Sequence, residues 1–274
     1  MRDILLLHPG QMGTSIGAAL VANGVRVHWI SAGRSKATTE RADENGFVGE
    51  DSLDAALKSV EAVFSICPPE AALDLAKEIH GTGFGGVFID GNATASETAR
   101  AISKLFGDRF VDGGIIGPPA WKPGTTRFFL SGTGAETVAG LFDGTPVEAR
   151  AISVVPGEAS ALKMAYAAWT KGGSALMLAT VAMAERHGVT GHLFEEWDRS
   201  QPGATARAVT AAKGNSPKAW RFVGEMREIE KTLEGAGLPG GFFDAAAETY
   251  QRLAGFRDDP QELDTVIARL LGER

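Results

Sequence analysis

The sequence predicts two domains, a doubly wound α/β domain with a mainly parallel sheet and then an all-α domain. Three observations carry this expectation. Over residues 1–156 short apolar runs alternate with helical patterns, the arrangement of strands joined by right-handed helical crossovers. The first run leads at once into a glycine-rich turn and a helix, "ILLLHPGQMGTSIGAALVANG". After Pro156 strand-like runs cease and Ala, Leu, Met and Glu dominate, so residues 157–274 read as a helical domain.

In chain order, strands are expected at Ile4–Leu7, Val25–Ile30, Ala62–Ile66, Val87–Asp90, Phe110–Asp112, Arg127–Leu130 and Ile152–Val155, with a weaker one at Phe47–Val48. Helices are expected between them at Met12–Ala22, Ser52–Lys58, Glu70–His80, Thr94–Phe106 and Ala135–Phe142. Glu158–His187 reads as one helix of about 45 Å at ~1.5 Å per residue. Further helical patterns lie near Leu193–Arg199, Lys218–Gly235, Phe242–Leu253 and Gln261–Leu270, punctuated by Gly and Pro.

Bulk properties narrow the function classes. The net charge of −7 argues against a nucleic-acid surface, which needs a basic stripe. No apolar run is long enough for a membrane helix, and "ILLL" lacks the flanks of a signal peptide. Cys67 is the only cysteine, which fits a reducing compartment. A cytoplasmic protein acting on a small molecule is expected, with no nucleic-acid or membrane partner. No Cys/His cluster or H-E-x-x-H pattern points to a metal.

Gly10 and Gly13 sit where a dinucleotide turn needs them. Gly10 admits a pyrophosphate to the backbone, and Gly13 permits close helix–strand packing, with the helix N-terminus facing the phosphates. His8 replaces the usual first glycine, and Pro9 offers an equivalent bend by fixing φ. The second strand ends in "HWISAGRS", without the acid that would bind the ribose hydroxyls of NAD. Ser31, Arg34 and Ser35 offer donors instead, and a guanidinium suits a 2′-phosphate, so NADP is the cofactor expected.

Taken in order, "HPGQMGTSIGAALVANG", "ICPPEAAL", "FIDGNATA", "FVDGGIIGPPAW" and "GEASALKMAYAAWTKG" resemble the β-hydroxyacid dehydrogenase / 6-phosphogluconate dehydrogenase superfamily. The likeness is to its branch with a phosphogluconate-dehydrogenase-like C-terminal domain, and it covers nearly the whole chain. It implies hydride transfer between NAD(P) and a hydroxy acid or its carbonyl counterpart. It also implies that Gly10, Gln11, Met12 and Gly13 line the pyrophosphate, with Arg34 at the 2′-phosphate. Cys67 and Pro68 would lie along the ribose and nicotinamide path, with Asn92 near the nicotinamide ribose. Cys67 reads equally as a small buried thiol.

By the same resemblance "DGGIIGPP" is the substrate-binding glycine turn, with Gly114 and Ile115 at the substrate. The family's serine is missing there. Lys163 matches the lysine that acts as general acid or base, a role hydride transfer requires at the reacting oxygen. Ala167 stands where the family has asparagine; Tyr166 and Thr170, at i+3 and i+7 from Lys163, are alternative hydroxyls, and Lys171 is a fallback amine. The implied assembly is a homodimer, with Leu176, Thr180, Met183 and His187 as a stripe for a second chain or for the core. The expected function is an NADP-dependent dehydrogenase or reductase. An imine reductase on the same fold and a non-catalytic NADP-binding regulator remain alternatives.

Overall fold

A computed structural model describes residues 1–273. The chain divides into two compact units, Met1–Met164 and the residues from Ala165 onward. The first unit holds eight strands: β1 Asp3–Leu6, β2 Arg26–Ile30, β3 Val48–Glu50, β4 Ala62–Ser65, β5 Val87–Asp90, β6 Phe110–Ile116, β7 Thr126–Ser131 and β8 Val147–Ser153. They form one sheet in the order β3-β2-β1-β4-β5-β6-β7-β8. Every neighbouring pair is parallel except β6–β7. The helices of this unit are α1 Gln11–Ala22, α2 Lys36–Glu44, α3 Leu53–Leu57, α4 Ala72–Gly81, α5 Ser96–Phe106 and α6 Ala135–Gly140.

Side-chain alternation along β1 explains the double winding. Ile4 and Leu6 face one core, with Val27, Trp29, Phe64 and Ile16 and Leu20 of α1. Leu5 and Leu7 face the other, with Val63, Phe88, Ile79 of α4 and Ile102 of α5. Both faces are buried, as a parallel sheet requires. Gly17 allows α1 to lie close on the sheet, since a Cβ there would stand 2.5 Å from the Phe47 ring and 3.1 Å from Leu6.

Several elements differ from expectation. The final strand is Val147–Ser153, not Ile152–Val155, because its edge position exposes alternate residues and hides its apolar period. Val154 and Val155 lie beyond it and are exposed. β6 continues past Asp112 to Ile116. The lysine-bearing helix is not uniform: α7 Glu158–Ala167 and α8 Gly173–Arg186 flank a π-helical turn at Ala168–Gly172. The division between the units falls within α7, not at residue 156. Its first turn is hydrogen-bonded to the sheet through Asp112 and Ser131, which assigns it to the first unit.

The second unit continues with α9 Thr190–Ser200, α10 Ala204–Asn215, α11 Ala219–Gly235, α12 Gly241–Leu253 and α13 Leu263–Leu271. Its core includes Tyr250, edge-on to Phe222 at 5.2 Å and donating its hydroxyl to the Lys171 carbonyl at 2.7 Å. Among the described residues no helix is long and apolar enough to cross a membrane.

Candidate active site

The sheet order places a topological switch point between β1 and β4, where ligands collect at the carboxyl ends of parallel strands. α1 begins there. Gly10 is its N-cap, and neither a side-chain cap nor an acid occupies the first turn. The N–H groups of a helix's first turn lack intrahelical acceptors, and the dipole adds partial positive charge. Gly10 is exposed, and a Cβ on it would meet nothing within 4 Å, so its face is open. Gly13 serves a different end from the one expected. A Cβ there would lie 2.4 Å from the His8 carbonyl oxygen, so this glycine seats the turn, whereas Gly17 packs helix on strand. Gln11 is exposed and Met12 half-buried. An uncapped helix start and an open glycine fit the pyrophosphate of a dinucleotide.

Arg34 is exposed, and its Nη2 lies 3.5 Å from the carbonyl oxygen of Leu7, directly before His8. The guanidinium therefore reaches back from the β2–α2 loop to the exit of β1. Burial lowers the pKa of His8, and nearby Arg34 lowers it further. Ser31 and Ser35 are committed locally. Ser31 donates to the Glu50 carbonyl from both its N–H and its hydroxyl, and Ser35 caps α2 by accepting from the Thr38 N–H. Glu50 pairs with Ile30 in the sheet and is the acid beside the end of β2. Its carboxylate is engaged, 2.7 Å from His28 Nδ1.

Cys67, Pro68 and Asn92 come together after β4 and β5. The Asn92 side chain accepts from the Cys67 N–H and donates to the Ser65 hydroxyl at 3.0 Å. Asn92 is buried, and its amide accepts from one neighbour and donates to another, so it shapes the β4 exit loop. Burial pushes the Cys67 thiol up to about 11, which keeps it neutral. Pro68 is exposed at the start of a short 3-10 turn.

Gly114 and Ile115 lie inside β6, paired with Phe129 and Phe128 of β7. Both are buried, which corrects the expectation of a glycine turn offering N–H groups to a substrate. The glycine is there for space: a Cβ on it would stand 2.6 Å from the Ala159 carbonyl oxygen and 2.9 Å from the Lys163 Cβ. The strand thus brings α7 into backbone contact and sets half-buried Lys163 against the outer part of β6, beyond the last β5 partner at Asp112.

Asp112 fixes this arrangement. Its Oδ2 accepts from the Gly157 and Ser160 N–H groups, each at 3.0 Å, and from the Ser131 hydroxyl at 2.9 Å. Its Oδ1 accepts from the Ser160 hydroxyl at 2.6 Å, while the Ser131 hydroxyl accepts from the Ala159 N–H at 3.1 Å. The carboxylate caps the helix that carries Lys163. Asp112, Ser131 and Ser160 were not identified from the sequence, since residues so far apart carry no local signal of meeting.

Tyr166 and Thr170 belong to the second unit. Tyr166 is exposed, and the Thr170 hydroxyl donates to the Tyr166 carbonyl at 2.9 Å. The π turn adds residues per turn and breaks the i+7 register expected for Thr170. Lys171 is ion-paired with Glu225 and lies 4.5 Å from the centroid of the Phe222 ring, a structural placement. Among the described residues no group of three or more His, Cys, Asp or Glu side chains could hold a metal ion.

A mainly parallel sheet with a bare helix N-terminus at its switch point is the architecture of a dinucleotide-binding domain. Residues 4–138 match the NAD binding domain of 6-phosphogluconate dehydrogenase, and residues 184–253 match a domain of unknown function, DUF1932. Over residues 4–138, just under half of its length, the chain is thus similar to the nicotinamide dinucleotide-binding domain of the 6-phosphogluconate dehydrogenase-like superfamily. An uncharacterized 28.5 kDa protein of Methanothermus fervidus is 31% identical over 173 residues, which span 62% of this chain and 66% of that protein, just under two thirds of its length. The conserved protein MTH1747, whose structure is similar to 3-hydroxyacid dehydrogenases, is 27% identical with a TM-score of 0.69, covering 92% of this chain and 99% of that one. 3-Hydroxyisobutyrate dehydrogenase of Mycobacterium tuberculosis shares the fold at 18% identity and a TM-score of 0.73, with 98% and 99% coverage. An imine reductase from Bacillus cereus shares it more loosely, at 15% identity, a TM-score of 0.57 and 97% and 98% coverage.

Proposed function

We propose that the protein is a cytoplasmic NADP-dependent oxidoreductase acting on a small hydroxy acid or its carbonyl counterpart, with Lys163 as general acid and base. The observation that carries the reading is the placement of Lys163 over Gly114, at the carboxyl end of the sheet whose switch point takes the dinucleotide. The bound nicotinamide supplies or accepts hydride at C4. In reduction the carbonyl oxygen gains negative charge, and Lys163 donates a proton to it; in oxidation Lys163 takes the hydroxyl proton. Asp112 holds the first turn of α7 and so limits the positions Lys163 can take.

The NADP preference rests on Arg34 at the β1 exit and on Glu50, whose carboxylate is engaged by His28. NADPH is expected to bind about five- to thirtyfold more tightly than NADH, with Arg34→Ala shrinking the gap, as an exposed guanidinium–phosphate pair worth about 1–2 kcal/mol implies. Equal affinities in the unaltered protein, measured by calorimetry, would remove the NADP assignment.

Ala167, buried where the resemblance implies asparagine, supports a second reading, an NADP-binding regulator without turnover. A screen of hydroxy acids, aldehydes, ketones and imines, followed at the nicotinamide absorbance, separates the two. On the substrate found, Lys163→Ala should lower turnover by about 100-fold or more with NADPH affinity retained. Unchanged turnover would exclude Lys163 from the chemistry.

A homodimer formed through the second unit is also proposed. Leu176, Met183 and His187 of the expected stripe are exposed, and the core-facing side of α8 is instead Ala175, Leu178 and Val181.

A further inference from the structure

The segment between β6 and β7, residues 117–125, presents Trp121 with 55% of its surface exposed. Among the described residues no ring or cation stacks on this indole. The loop is held in place. Gly117 leaves the strand with φ +131°, and a Cβ there would lie 2.2 Å from the Thr125 carbonyl oxygen. The Thr126 hydroxyl donates to the Pro118 carbonyl at 2.7 Å, the Thr125 hydroxyl to the Lys122 carbonyl at 2.8 Å, and the Trp121 N–H to the Pro119 carbonyl at 2.8 Å. Pro118, Pro119 and Pro123 restrict φ further. A planar side chain already held on a stiff loop can pack against a ligand at little further cost in entropy.

Its position narrows what it can bind. The Ala120 N–H donates to the Ser15 hydroxyl at 2.9 Å, which ties the loop to α1. Ser15 lies four residues beyond Gln11, about 6 Å along the helix at ~1.5 Å per residue from the N–H groups that face the pyrophosphate. In the sheet order β2 and β3 lie on one side of the switch point, with Arg34, and β4, β5 and β6 on the other. A dinucleotide crossing that point with its adenosine half toward Arg34 lays its nicotinamide half toward β6 and this loop.

We propose that Trp121 is the contact for the nicotinamide half of the bound dinucleotide, its indole forming an apolar wall beside the ring. This rests on the dinucleotide reading above. A planar indole suits a planar nicotinamide by offset or edge contact, and it excludes water from the face it covers.

The test is fluorine NMR of the protein labelled with 5-fluorotryptophan at its five tryptophans, the Trp121 signal being assigned with Trp121→Phe. NADPH should move the Trp121 signal, and 2′,5′-ADP, the adenosine half alone, should leave it in place. Trp121→Ala should weaken NADPH binding by about fivefold and 2′,5′-ADP binding by less than about twofold, with Trp121→Phe close to the unaltered protein. A Trp121 signal that stays fixed while NADPH moves others, or that responds equally to 2′,5′-ADP, overturns the proposal. If neither NADPH nor NADH moves any signal or gives heat of binding, the dinucleotide reading itself has failed.

Discussion

Asp90 and Asp112 stand opposite each other on neighbouring strands, both buried, in unlike surroundings. Asp112 faces several donors that stabilise a negative charge against the cost of burial. Asp90 accepts from the Asn92 N–H on one oxygen, and among the described residues its buried Oδ2 has no hydrogen-bond partner. Burial, and to a smaller degree the Asp112 charge, push its pKa from 3.8 up to about 7. The folded protein therefore holds this proton more tightly than the unfolded chain does. The stability linked to it is complete below about pH 4 and is lost as pH rises toward 7. Asp90→Asn cannot ionise, so the unaltered protein should lose stability relative to this variant between about pH 5 and pH 8. Urea midpoints measured at both pH values should diverge in that sense; a constant difference would show that Asp90 does not carry a buried proton.

At the scale of the element, β6 shows where sequence patterning succeeds and where it stops. The strands β4 and β5 are apolar runs buried on both faces, and their positions follow directly from that pattern. "DGGIIG" carries two adjacent glycines, which ordinarily mark a turn. Here they are strand residues chosen for clearance, Gly113 against the Phe128 ring and Gly114 against α7. A clearance of that kind depends on a helix more than forty residues further on, and no local period records it. α2 was not foreseen because "KATTERADE" has no apolar stripe and buries only Ala42, and α10 because its core face is alanine alone. The glycine turn at the start of α1 was legible because it lies within one βαβ unit. Gly114→Ala tests the clearance. Its methyl would meet a backbone oxygen and the base of Lys163, so it should destabilise by about 1–3 kcal/mol and lower turnover, with NADPH affinity preserved. Denaturant midpoints and calorimetry on the same preparation check both parts, and an unchanged midpoint would mean that α7 shifts freely on β6.

At the scale of the whole molecule the unfinished feature is an apolar surface on the second unit. A groove of about 700 Å³ is lined by Trp169, Leu176, Pro239, Phe242 and Phe243, among others. Trp169 is 83% exposed and Phe242 77%. Gly172 makes the neighbouring contact possible, since a Cβ there would stand 2.5 Å from the Phe243 ring. Soluble monomers rarely leave so many large apolar groups together in water, and Leu176 and Met183 extend the surface along α8. A second copy of the chain would cover the same residues on both protomers under two-fold symmetry, so one substitution acts twice at the interface. Leu176→Asp places a charge on each side of it and should convert a species of twice the chain mass into monomer. Light scattering after size-exclusion chromatography reads that mass directly, and circular dichroism distinguishes dissociation from unfolding, because Leu176 is exposed within the chain and is not part of its core. A monomer before substitution, or a dimer that survives Leu176→Asp together with Phe242→Asp, would move the interface away from this surface.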